Sequence, residues 1–395
     1  MQNNYIKTRI ACYTGFVVQA IINNFLPILF IAIQDVYGLG YERLARLIVI
    51  NFSAQMVVDL LSPKIMRILG CRVTAFLSQA MAALGLIMMG ILPSVLPNSY
   101  IAICFSAVVY AVGSGLMEVI LSPIVEQLPS KNKSGNMSIL HSFYCWGQAF
   151  TIIITTVLIG KFGYNLWNYI PVLWAIVPFF NAIAFLKVPL VNPEPNRKLA
   201  TLKELLSRGK FRGYMLMMLC AGASEIAAAQ WASIFAQKGL GVTKAVGDLA
   251  GPCAFALCMA LGRVLYGIYS NKISFKKVTL ALSVFSTICY LVIAISSNAV
   301  VSLLFCALCG FSVSIFWPSI YSAGAVDIPD GGMVMYSVFA MCGDIGCALG
   351  PWVLGVVADH FGLKLGFGAA AAFPLIMFFT ACFVLKGNKS RNKSA

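Results

Sequence analysis

Three carboxylates and one histidine stand inside apolar stretches of this chain, where an ionised side chain is costly unless it faces a bundle interior or a water-filled path. Glu118 lies in the run Ala111 to Pro129, with Ser114 and Ser122 four residues to either side and so on one helical stripe. Gly113 and Gly115 let a neighbouring helix come close, and Pro123 loosens the backbone one turn later. Glu225 and Asp344 sit nearer the middle of their runs, too deep for a short side chain to reach water. Each either faces a cavity or is held in a permanent buried hydrogen bond. His141, near the end of its run, has an intrinsic titration close to neutral pH. It is either a proton relay or a satisfied structural histidine. A buried carboxyl that takes up a proton sheds the desolvation cost of its charge, so such groups suit proton movement. Glu118, His141 and Asp344 are therefore the candidate proton-coupling residues. For Glu118 the plain alternative is a boundary carboxylate reaching the headgroups.

A second set could bind a polar solute. Gln19 and Asn23 share a helical face with Asn24 beside them, Gln148 lies on a stripe with His141, Thr151 and Thr155, and Gln230 and Trp231 follow Glu225. Trp317 precedes Pro318. Amides and carboxylates such as Glu118 and Glu225 bond hydroxyls, and an aromatic face stacks on the C–H side of a sugar ring. The plain alternative places the tryptophans in the aromatic belts at the membrane interfaces. Asn51, Gln55 and Asp59 recur every four residues and read as contacts between helices, with Asp59 also within reach of Lys64 or Arg67. Arg263 either partners a carboxylate or snorkels from the end of its run.

The elements that must position these residues are membrane spans. Sixty per cent of the 395 residues are hydrophobic, 10% are charged and the mean hydropathy is +0.87. Runs of span length are expected over Ile10–Ile33, Leu44–Leu61, Val73–Leu92, Tyr100–Ile120 extending to Val125, Leu140–Ile159 and Trp167–Leu186. A second set covers Phe211–Phe235, Leu249–Tyr269, Val278–Ser296, Val300–Tyr321, Met333–Val357 and Leu365–Leu385. The expected fold is an all-α polytopic membrane protein of about twelve transmembrane helices in two pseudo-symmetric six-helix halves, 1–186 and 211–395, joined by a cytoplasmic linker, 187–210. The first apolar run is too long for a signal peptide and lacks a small-x-small cleavage site, so it is expected to stay in the mature chain. Thirteen cysteines, mostly within apolar runs, read as small core residues with no disulfide framework expected.

The net charge of +15 sits between apolar runs, not on a polar domain, which argues against nucleic acid and for a topology signal. Lys and Arg concentrate in alternate segments: around Lys7, Lys64 to Arg72, Lys131 and Lys133, Lys187 to Arg212, Lys272 to Lys277, and the tail from Lys386. Both termini are thus expected in the cytoplasm, with the chain in a plasma or inner membrane as a monomer. No G-x-S-x-G, H-E-x-x-H or G-x-x-x-x-G-K-S/T sequence occurs. No catalytic residue, metal or cofactor is expected, and the energy source would be an ion gradient, most naturally of protons.

The halves look like copies of each other. Gly115 precedes Pro123 by eight residues, and Gly310 precedes Pro318 by eight. The loop after the eighth span carries Gly267, Asn271, Lys272, Ser274 and Lys276 in the spacing G-x-x-x-D-R-x-G-R-R, and the loop after the second span keeps Gly70 and Arg72 with Arg67 where the acid belongs. In these features the chain resembles the major facilitator superfamily. A narrower set is similar to the fucose/galactose/glucose proton-symporter family: Asn23-Asn-Phe-Leu-Pro27, Gly115-Leu-Met-Glu118, Leu140 to Gly147, Gly222-Ala-Ser-Glu225 with Trp231, Trp317-Pro318, and Gly343-Asp-Ile-Gly346 with Gly350-Pro351. That resemblance implies symport of a monosaccharide with protons by alternating access. One departure is Asn23, where fucose-type members carry an Asp, so proton coupling must rest elsewhere or be absent. Efflux of amphipathic compounds on the same fold, favoured by 16 Met and 27 Phe, and a non-transporting membrane sensor are the other readings.

Overall fold

The computed structural model describes residues 5–39, 41–130, 132–190 and 199–385. Lys131, the 191–198 part of the expected linker and the basic tail from Lys386 lie outside the described residues. Eleven helical stretches among those described are long and apolar enough to cross a bilayer. The longest, Arg46–Val95, holds Gly70 at φ 76° and ψ 165°, a left-handed φ that favours glycine. Broken there, it supplies two spans, and the eleven become the expected twelve. The helix runs on past the expected end at Leu61, through Pro63, as far as Gly70.

In the first half, α1 (Ile6–Ile28) and α2 (Phe30–Tyr37) together form the first span, divided at Leu29. Pro27 causes the division: it has no N–H to offer the Asn23 carbonyl four residues back. The rest are α3 (Tyr41–Val95), α4 (Ser99–Gln127), α5 (Lys133–Phe162) and α6 (Tyr169–Lys187). Asn98 and Asn132 cap α4 and α5 by accepting from Ile101 N and Gly135 N at 3.1 and 2.8 Å. Glycines set the spacing of α4. A Cβ at Gly113 would meet the Ser78 and Ala82 backbone, and one at Gly115 the Gln55 backbone, so α4 lies against both limbs of α3.

The second half begins with α7 (Leu202–Ser207), closed at its start by a reciprocal capping pair of Thr201 and Glu204. Then follow α8 (Gly209–Ile234), α9 (Lys244–Asp248), α10 (Ala254–Tyr269), α11 (Phe275–Ile295), α12 (Ala299–Val313), α13 (Phe316–Asp327), α14 (Gly332–Phe361), α15 (Leu363–Ala370) and α16 (Ala372–Val384). Here α12 and α13 are one expected span divided at Ser314–Ile315, with Pro318 in the first turn of α13. The start of this half is anchored on the α13–α14 loop. Ala200 N donates to Asp330 O at 2.9 Å, Arg208 reaches both Asp330 carboxylate oxygens at 2.7 and 2.6 Å, and Lys210 and Tyr214 meet Asp327 at 2.7 and 2.6 Å. The Asp330 bonds hold the Arg208 guanidinium above its ordinary pKa.

The described residues divide into two compact units, one holding the chain to 190 with Tyr336–Met341 and the other holding Leu199–Met335 and 342–385. Large apolar side chains such as Ile295, Val300 and Phe383 are exposed on the outside, as a lipid-facing surface requires. None of the thirteen cysteines, all of them among the described residues, is in a disulfide. Cys306 and Cys309 have C-x-x-C spacing, and both are buried inside α12.

Candidate functional site

In the first unit the polar residues of α1, α3, α4 and α5 meet. Glu118 is buried in the second half of α4 and accepts from Gln19 Nε2 at 2.7 Å. One turn along α1, Asn23 Oδ1 accepts from Asn51 Nδ2 and Gln55 Nε2, both at 3.1 Å, and Gln55 Oε1 in turn accepts from Ser114 Oγ at 2.9 Å. Asn51, Gln55 and Ser114 thus gather around Asn23, four side chains from three helices. One turn the other way along α4, Ser122 Oγ lies 3.3 Å from His141 Nε2, and the His141 ring packs on Phe16 with centroids 4.6 Å apart. Glu118, Gln19, Asn23 and His141 belong to one polar seam.

The other expected residues of this half divide. Asn24 turns back on its own helix, donating to Ala20 O at 2.8 Å, so its amide already has a partner. Gln148 is buried in α5. Its stripe partners serve structure: Thr151 bonds Gly147 O at 2.7 Å, and Thr155 accepts from Trp174 Nε1 at 3.2 Å.

In the second unit Glu225 on α8 and Arg263 on α10 form a buried ion pair, Nη2 to Oε2 at 3.0 Å. The position of Arg263 near the end of its apolar run allowed snorkelling as readily as pairing; its side chain instead turns inward and is 2% exposed. Its Nε donates to Ser314 O at 2.9 Å. That carbonyl is the one Pro318, four residues on, cannot bond. Arg263 therefore joins a carboxylate to the break between α12 and α13, a link the sequence announces only through the Ser314–Pro318 spacing.

Trp231 is half-buried and donates from Nε1 to Pro351 O at 3.1 Å, so its polar edge belongs to the α8–α14 contact. Trp317 is buried against Gly343, where a Cβ would run into the ring. Side chains at Gly346 and Gly350 would likewise strike the α8 backbone at Leu219 and Ala223. This close contact carries Asp344, which is buried. Gln230 is exposed on α8, one residue from Trp231 and not in the Glu225–Arg263 cluster.

The arrangement can do two things chemically. A carboxylate bonded to a carboxamide can change its proton without losing that partner, since Gln19 offers a donor to the anion and an acceptor to the acid. The ion pair at Glu225 instead ties a carboxylate to a buried guanidinium, so that removing either charge leaves the other uncompensated away from water.

The sequence matches the family model of the Major Facilitator Superfamily over residues 11–351. No curated protein sequence matches it. Among solved structures, a Major Facilitator Superfamily transporter, FucP, in the outward conformation is similar with a TM-score of 0.81 at 18% identity, over 96% of this chain and 99% of that one. A variant of the E. coli fucose:proton symporter FucP gives 0.79 at 17% identity with the same coverage. The proton:xylose symporter XylE bound to 6-bromo-6-deoxy-D-glucose gives 0.81 at 11% identity, over 98% of this chain and 96% of that one. At these identities the likeness is one of fold.

Proposed function

Because this chain belongs to the major facilitator superfamily, we propose that it is a multi-pass transporter that moves a monosaccharide together with protons by alternating access. The observation that carries the reading is the buried Glu118 carboxylate bonded to Gln19 at 2.7 Å. It is a titratable group deep in a membrane-spanning helix, with a partner that fits both of its protonation states. The adjoining amides of Asn23, Asn51 and Gln55 add donors and acceptors of the kind that sugar hydroxyls need. The solved neighbours in fold that are named as symporters, of fucose and of xylose, move sugars with protons.

Glu118 is the proton site in this reading, with His141 and Asp344 as the further candidates for coupling. Gln19, Asn23, Gln148 and Glu225 are the solute-binding candidates, with Trp231 and Trp317 offering ring faces. Asn24 and Gln230 rank below them, the first because its amide is taken and the second because of its exposure. No resident cofactor is needed, and both termini face the cytoplasm of a cell whose plasma or inner membrane holds the protein as a monomer.

A thermal-shift screen of the purified protein against monosaccharides, amino acids, nucleosides and cationic dyes tests the substrate class, because a ligand that binds only the folded state raises its apparent stability. The reading expects a shift with one or a few monosaccharides. Shifts confined to amphipathic dyes, together with dye extrusion from vesicles, would replace it with efflux.

A further inference from the structure

Gln79 lies in the second limb of α3 and is wholly buried, yet neither the oxygen nor the nitrogen of its carboxamide finds a hydrogen-bond partner among the described residues. A polar group so placed is costly in any protein, and more so in a bundle surrounded by lipid. Its neighbours locate it. A Cβ at Gly15 would stand 3.2 Å from Gln79 Nε2 and would press on Leu121, so the carboxamide fills the notch that Gly15 leaves where α1 crosses α4. One turn further along α1 is Gln19, and about one turn along α4 from Leu121 is Glu118, its partner at 2.7 Å.

The Gln79 carboxamide thus packs beside two residues, Gly15 and Leu121, that each lie about one helical turn along their own helix from a member of the Gln19–Glu118 pair. Gln19 Oε1 is also buried without a partner among the described residues. Next to Leu121 is Ser122, whose hydroxyl lies 3.3 Å from His141 Nε2. A buried water needs two to four polar partners. Gln79 offers a donor and an acceptor and Gln19 an acceptor, while Glu118 and Ser122 stand on either side of Leu121 along α4.

We propose that Gln79 holds a buried water at the crossing of α1 and α4, and that this water passes the proton between Glu118 and the Ser122–His141 pair. The second half of the inference rests on the proposed proton role of Glu118. In the step, the Glu118 carboxyl gives its O–H proton to the water while the water gives one of its own, through the Ser122 hydroxyl, to His141 Nε2. Glu118 becomes a carboxylate, His141 an imidazolium, and the water and the hydroxyl are unchanged.

Radiolytic hydroxyl labelling of the full-length protein in nanodiscs, read by mass spectrometry, tests the water, since radicals born from a bound water oxidise side chains that bulk solvent does not reach. Leu121, wholly buried, should be labelled in the unaltered protein and lose most of that label in Gln79→Leu and in Gln79→Met. An unlabelled Leu121, or equal label in the variants, overturns the water site. In proteoliposomes the same variants should slow net proton-coupled uptake several-fold while retaining solute exchange, which also shows that they fold. Net uptake at the unaltered rate overturns the relay. An unaltered protein that moves solute without protons overturns the role of Glu118 and the relay with it, while the labelling still decides the water.

Discussion

Arg263 donates to Glu225 at 3.0 Å with both side chains buried, and the same guanidinium holds the Ser314 carbonyl at the break between α12 and α13. Removing one partner of such a pair strands the other charge away from water. Glu225→Gln and Arg263→Gln should each destabilise the protein by about 3–5 kcal/mol. The double substitution should cost less than the sum of the two, because it leaves no stranded charge. Arg263→Lys keeps the charge but has no planar fork to reach both partners, and should fall between. Denaturant unfolding in detergent measures all four, and strict additivity of the double variant would speak against the pair.

The α13–α14 loop offers a contrast between two acids. Asp327 is shielded, its side chain 8% exposed, and takes Lys210 and Tyr214 together, whereas Asp330 and Arg208 are only half-buried. Asp327→Asn should lower stability by about 1–3 kcal/mol, as expected for shielded hydrogen bonds to a charged group. Asp330→Asn should change the melting temperature little, and what change there is should vanish in high salt. Thermal unfolding at low and high salt checks both, and a larger loss from Asp330→Asn would contradict the burial argument.

Much of this architecture was legible in the sequence because bilayer thickness fixes span length. The expected Phe211–Phe235 is α8 to within two residues at each end, while the expected Leu140–Ile159 lies inside α5, which starts at Lys133 and ends at Phe162. The breaks were harder to see. Pro27 and Pro318 mark where a backbone donor is missing, but not whether the helix bends, divides or continues, and Pro123 sits within an uninterrupted α4. Among site residues, Glu118 stood out because a charge in an apolar run is costly to bury. Asn24 and Gln230 did not separate from their neighbours, since a 3.6-residue period leaves adjacent positions only about 100° apart. Gln79 was missed altogether. Its isolation comes from a glycine notch on another helix, a relation that no single stretch of sequence contains.

Orientation gives a third prediction. With both termini cytoplasmic, a membrane-impermeant thiol reagent added outside cells should label Asn98→Cys and Ser297→Cys in a cysteine-depleted background. It should reach Ser207→Cys, on exposed α7, only after permeabilisation. Labelling of Ser207→Cys in intact cells would invert the orientation.

The account turns on Glu118, so its most direct test is net accumulation against exchange in proteoliposomes carrying Glu118→Gln. The neutral amide keeps a partner for Gln19 but cannot take up or release a proton. The account predicts that an imposed proton gradient drives monosaccharide accumulation in the unaltered protein and not in the variant, while both exchange internal for external sugar at comparable rates. A Glu118→Gln protein that still concentrates the sugar in response to that gradient would contradict it.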